Sequence, residues 1–194
     1  GLRFALGERA YRCSEVSWDD AGRPHAEVSF TARGDHVEID VRVLKSPLVF
    51  RAADAPDPAF DNEHPDIHSD GVQLHLATPG WDSPAAWLAV PAAPSPAVRL
   101  RSVEGSRRDV PVSASWTLVT GGFAVRFSVP LSALGPGPDH HFSADVLIND
   151  MSPDRERRRG QLVLSGGAGD FVYLQGDRQS PARFLHFHVP ATRG

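Results

Sequence analysis

Residues 112–129 constrain the fold more than any other stretch of the chain. Gly121-Gly122 separates two extended runs, and in the second Phe123, Val125, Phe127 and Val129 alternate with Ala124, Arg126 and Ser128. A period of two places one set of side chains on a buried face and the other in solvent, and paired runs joined by glycines form a β-hairpin. The same alternation returns at residues 26–31 and 36–43 around the A-R-G-D turn, at 71–76, and at 142–148. Shorter apolar runs at 48–51, 87–90, 97–103, 161–164, 171–174 and 184–189 predict further strands, and residues 130–134 allow one helical turn before G-P-G-P stops it. Strands at this spacing, with no helical period beyond a turn or two, predict an antiparallel β-sandwich, jelly-roll or immunoglobulin-like, in one domain over residues 1–194.

Composition narrows the class. A hydrophobic fraction of 41%, a charged fraction of 23% and a formal net charge of -4 leave no basic face for nucleic acid, and no apolar run reaches the ~18 residues that cross a bilayer. Cys13 is the sole cysteine, so the chain forms no internal disulfide and no thiolate metal site of its own. Lys45 is the sole lysine among many Arg, Ala, Gly and Pro residues, a bias expected of a GC-rich bacterial genome. The chain begins at Gly1 without a charged and apolar leader and reads as a domain cut from a longer protein.

Residues 52–69 have no apolar period and contain Pro56, Pro58 and Pro65, an unusual length for an ordered loop. They run into the strand at 71–76, in which Val72, Leu74 and Leu76 point one way and Gln73 and His75 the other. Asp61, Asn62, Glu63, Asp66 and Asp70 are hard oxygen ligands of the kind calcium takes. Ordering so many carboxylates calls for an ion, or for an equivalent hydrogen-bond cage, held by Asp66 and Asp70 with Asp61 and Asn62. His64, His68 and His75 add nitrogen donors, and His140, His141, His186 and His188 form a second group. No serine elbow, Cys/His pair or framed carboxylate pair is present, so no catalytic residues are expected.

Three segments carry a resemblance. The hairpin A-E-V-S-F-T-A-R-G-D-H-V-E-I-D-V-R-V, the strand S-D-G-V-Q-L-H-L, and F-S-A-D-V-L-I-N-D-M followed by R-R-R-G-Q-L-V-L-S-G resemble, in order and separation, the family-9 carbohydrate-binding modules and the wider DOMON-like β-sandwiches. The resemblance covers roughly residues 25–189. It implies a sugar-binding appendage of a polysaccharide-active protein, extracellular or periplasmic, with relatives that hold calcium or haem.

On this reading Trp81, in the turn T-P-G-W-D-S-P, is the stacking platform for a sugar ring, with Gln73, His75 and Asn149 as hydrogen-bonding groups. The run 154–159 places Arg158 among guanidiniums able to grip a uronate carboxylate, and the family pattern pairs Arg158 or Arg159 with Asp150 in a buried bridge. An alternative from the DOMON side is haem b ligated by Met151 for electron transfer. A structural or docking domain of a larger enzyme is the third reading.

Overall fold

A computed structural model of the chain describes residues 1–13, 16–57, 64–105, 109–168 and 179–191. Among these residues the architecture is two antiparallel sheets packed face to face. The strands are β1 (Leu2–Leu6), β2 (Tyr11–Cys13), β3 (His25–Arg33), β4 (His36–Leu44), β5 (Gly71–Ala77), β6 (Ala85–Pro91), β7 (Val98–Glu104), β8 (Ser113–Val119), β9 (Gly122–Pro130), β10 (His140–Asp150), β11 (Gly160–Val163) and β12 (Leu185–Val189). The smaller sheet has the order β1-β3-β4-β9-β8, and the larger runs β2-β11-β10-β5-β6-β7. β12 joins the larger sheet through β10, on the edge that β11 takes further along.

The alternation read from sequence sets the faces. Val37, Ile39, Val41 and Val43 of β4 and Phe123, Val125, Phe127 and Val129 of β9 point inward, against Val72, Leu74 and Leu76 of β5 and Ala144, Val146 and Ile148 of β10. Each side chain of this size, fully buried, contributes about 1.5–3 kcal/mol. Gly34 in the β3–β4 turn and Gly121 in the β8–β9 turn take positive φ, +58° and +80°, as both turns require. Residues 48–51, expected as a short strand, run as an irregular segment instead, because its backbone is committed elsewhere: Val49 N–H donates to Asp70 and Arg51 N–H to the Ser69 hydroxyl. The expected turn at 131–134 is a 3-10 helix, and the run at 171–174 lies outside the described residues.

One end of the sandwich is closed by rings. Phe187 of β12 stacks on Phe30 at 4.2 Å and on Phe142 at 5.2 Å, with Phe4 edge-on at 6.4 Å, so the last strand is anchored to both sheets. Charge closes the other end. Lys45, just past β4, reaches Asp70 Oδ1 at 2.5 Å, Asp150 Oδ1 at 2.6 Å and the Met151 carbonyl at 2.7 Å. Arg159 and the Tyr11 hydroxyl both bond Asp150 Oδ2 at 2.8 Å, which confirms the Asp150–arginine bridge with Arg159 as the partner. Two cations and two carboxylates thus neutralise one another where the sheets meet, the arrangement a buried ion cluster requires. Burial raises the Asp70 carboxyl to about 6, even though Lys45 and the N–H groups of Met151 and Val49 pull it down.

Candidate functional site

The outward face of the larger sheet holds a row of planar hydrogen-bonding side chains. Strand pairing aligns Arg12 with Gln161 and Gln161 with Asn149, and places Gln73 beside Leu147 and His75 beside Asp145. Arg12 donates to Gln161 Oε1 at 2.6 Å and to Gln179 Oε1 at 3.1 Å. Asn149 Oδ1 accepts from Gln161 Nε2 at 2.8 Å and from Gln73 Nε2 at 3.3 Å, while Gln73 Oε1 meets His75 Nε2 at 2.9 Å. Gln179 continues the chain to Asp145 Oδ2 at 2.9 Å, which also accepts from the Ser165 hydroxyl, while the Ser165 N–H donates to Asp145 Oδ1. Arg12, Gln73, His75, Asp145, Asn149 and Gln161 are all 0–1% exposed.

The sequence expected Gln73, His75 and Asn149 to stand open on a polar face. The structure gathers them into one network, as expected, but buries them. Period two identifies which residues leave the core; it does not show that distant segments return over the outer face. Ile67, from the 3-10 turn Pro65–Ile67, packs on Leu88 and Val90 of β6, and Phe184 stands edge-on to His75 with ring centroids 6.1 Å apart. Arg158 is likewise buried at 0%, its backbone N–H bonded to His68 Nδ1, so its guanidinium is not the open grip that was expected.

Trp81 is the larger departure. It is half-buried in the turn between β5 and β6, packing on the edge of the core with its ring 6.5 Å from that of Trp87, and takes no part in the row of Gln73 and His75. Trp116 packs against Phe50 at 5.5 Å, and Trp18 donates to the Pro24 carbonyl under the Arg23 guanidinium. Among the described residues no tryptophan joins the amide row.

Sequence reading missed two other groups. Arg12 sits in a strand of three residues, too short to show a period. Arg101, outward on β7 and opposite Leu88 of β6, fixes its Nε on Asp66 Oδ2 at 3.2 Å. Its side chain is 46% exposed, and among the described residues its terminal nitrogens have no partner. A guanidinium anchored at one nitrogen and open at the other two is a ready hydrogen-bonding fork. The V-R-L-R alternation of β7 was the available signal.

The acidic loop resolves into two separate cages. Asp66 takes Arg51, Arg99 and Arg101, and Asp70 takes Lys45 and the N–H groups of Val49 and Met151. Burial pushes the Asp66 carboxyl up, but the bonds from Arg99 and Arg101 outweigh it and hold the group below the usual carboxylate range. Protein cations therefore occupy the oxygens that the calcium expectation assigned to Asp66 and Asp70, an outcome of the hydrogen-bond-cage kind. Asp61, Asn62 and Glu63 lie outside the described residues. Met151, the expected haem ligand, is 6% exposed, and its backbone N–H and carbonyl are both tied into the Lys45–Asp70 pair.

A concavity of about 460 Å³ lies on the outer face of the smaller sheet, walled by Arg3, Glu27, Asp40 and Arg42. It has no aromatic wall but Phe4, and Asp40 is already paired with Arg126 at 2.6 Å.

No family model matches the sequence, and no curated protein matches it. Solved structures do. A family-9 carbohydrate-binding module from Caldicellulosiruptor kristjanssonii in complex with cellotriose superposes with a TM-score of 0.63 at 13% identity, over 98% of this chain and 84% of that one. A structure of a module of the same family and source in complex with glucose gives 0.61 at 13% identity, over 94% and 82%. A putative carbohydrate-binding protein from Bacteroides uniformis gives 0.50 at 12% identity, over 92% and 85%. The chain has the β-sandwich fold of the family-9 carbohydrate-binding modules.

Proposed function

We propose that the chain is a non-catalytic carbohydrate-binding module, carried by a longer extracellular or periplasmic protein, and that it takes a poly- or oligosaccharide on the outer face of the larger sheet. The observation that carries this reading is the half-exposed Arg101 fork on that face, at the rim of the buried amide row from Arg12 to His75 that holds the face rigid. Sugar hydroxyls are bound by donors held rigidly, and Arg101, anchored through Nε on Asp66, presents its two terminal nitrogens at little ordering cost. Within the row, Asn149 Nδ2 is buried and has no partner among the described residues. A buried donor left unpaired costs about 1–3 kcal/mol. The solved neighbours in complex with cellotriose and with glucose support a saccharide as ligand.

Affinity electrophoresis through gels containing soluble β-glucans, xylans, mannans and uronate polymers tests the reading. Retardation by at least one polymer, reduced in Arg101→Ala, is expected. Folded protein that runs unretarded in every gel refutes it.

A further inference from the structure

The edge of the larger sheet where β12 meets β10 carries a cluster outside the amide row. His141 of β10 and His188 of β12 are directly opposed in the register, and their imidazoles stack with centroids 4.2 Å apart and planes 1° from parallel. Asp139, two residues before His141 and so on the same face, places Oδ1 3.6 Å from His188 Nε2. That separation is long for a hydrogen bond, yet close to the edge of a tetrahedron drawn about an ion with ligands at about 2.0–2.2 Å. His186, two residues before His188, extends the same face and lines a cleft of about 310 Å³ together with His141, Ser143 and Thr78. His141, His186 and His188 are exposed, and the Asp139 side chain is 56% exposed, so an ion has open access.

We infer that Asp139, His141 and His188 form a surface site for a divalent transition-metal ion, with His186 placed to complete it. Two imidazoles and a carboxylate are borderline ligands that favour zinc, copper or nickel over calcium or magnesium. Among the described residues no three such groups already converge on one point. The Cβ–Cγ torsion of an exposed histidine is broad, so both rings can turn out of the stack to aim their lone pairs at a common centre. Asp139 already has Oδ1 accepting from the Ala191 N–H at 2.6 Å, which fixes the carboxylate against the ring of His188.

The site has a consequence for the fold. Among the described residues β12 pairs with the larger sheet only through β10, and the segment leading into it supplies Gln179 and Phe184 to the amide row. An ion bridging the two strands binds only when β12 is docked, so it stabilises the docked state by linkage.

Calorimetric titration of tag-free protein with zinc, nickel and copper, and with calcium and magnesium as controls, tests the inference. One ion per chain with micromolar dissociation is expected for the transition metals and no heat for the controls. His141→Gln/His188→Gln should weaken binding at least about tenfold, whereas His25→Gln/His36→Gln, elsewhere on the surface, should leave it unchanged. Histidine NMR of the unmodified protein gives a second readout, since zinc should shift the ring resonances of His141 and His188. No binding tighter than millimolar, affinity that survives loss of both histidines, or zinc shifts confined to other histidines would overturn it.

Discussion

Two polar clusters are buried against the larger sheet, and they are built on opposite principles. The cluster around Lys45 uses full charges in matched numbers, Lys45 and Arg159 against Asp70 and Asp150, and fills the remaining oxygens with the N–H groups of Val49 and Met151 and the hydroxyl of Tyr11. It joins residues more than a hundred apart in sequence, Lys45 and Asp150, at the point where the two sheets converge. The row from Arg12 to His75 uses amides and an imidazole, links neighbouring strands of one sheet, and leaves Asn149 Nδ2 unpaired among the described residues. Low dielectric strengthens both clusters and penalises any gap in either. The first cluster is saturated, whereas the row, built mainly of amides, keeps a spare donor beneath the outer face. The first therefore reads as a clamp and the second as the rigid floor beneath a recognition surface.

The comparison breaks most sharply at Lys45. Lys45→Met leaves Asp70 and Asp150 facing each other with Arg159 as their remaining side-chain cation, and should cost about 3–5 kcal/mol, a fall in melting temperature on the order of 10 °C. Calorimetry or urea unfolding checks this. Saccharide binding measured below the melting transition should persist, since no member of the row contacts Lys45.

A smaller effect is expected within the row. Gln73→Ala removes one hydrogen-bond partner from each of Asn149 and His75 and should cost about 1–3 kcal/mol, but its main effect should be on saccharide affinity, reduced at least tenfold. A variant that loses stability while binding normally would make the row a second clamp.

The two loop aspartates should respond to pH with opposite sign. Asp70 has its carboxyl raised to about 6, so its contribution is present below the ordinary carboxylate range and is lost as pH rises through about 6. Asp66 is held below that range, so its contribution is present at neutral pH and is lost as acid protonates it. Urea unfolding from about pH 3 to about pH 7 should show Asp70→Asn removing a decline near the top of the window and Asp66→Asn removing a decline near the bottom.

Much of this fold was legible because period two is written into the long strands. The runs of β4, β5, β9 and β10 showed which residues face the core, and the loops between them were marked by Gly34 and Gly121. The partnership of Lys45 with Asp70 was not legible, because it joins a strand end to a loop 25 residues away and no local pattern encodes such a meeting. The Asp150–Arg159 bridge was anticipated through family likeness alone. At the candidate site, alternation correctly set Gln73 and His75 apart from Leu74, yet it could not show that Ile67 and Phe184 come back over that face. Trp81 stands apart from the row because its turn, between Pro79 and Pro84, rests the half-buried indole against Trp87, a contact that no local pattern encodes.

The central claim is that saccharide meets this chain on the outer face of the larger sheet. Two-dimensional NMR of the side-chain amide and guanidinium groups, titrated with cello-oligosaccharides and with fragments of whichever polymer retards the protein most, tests it directly. The account predicts saturable shifts at Arg101 Nε and at the amides of Asn149, Gln73 and Gln161, with the indole of Trp81 unmoved. Shifts centred on Trp81, or on Arg3 and Arg42 of the smaller sheet, would contradict it.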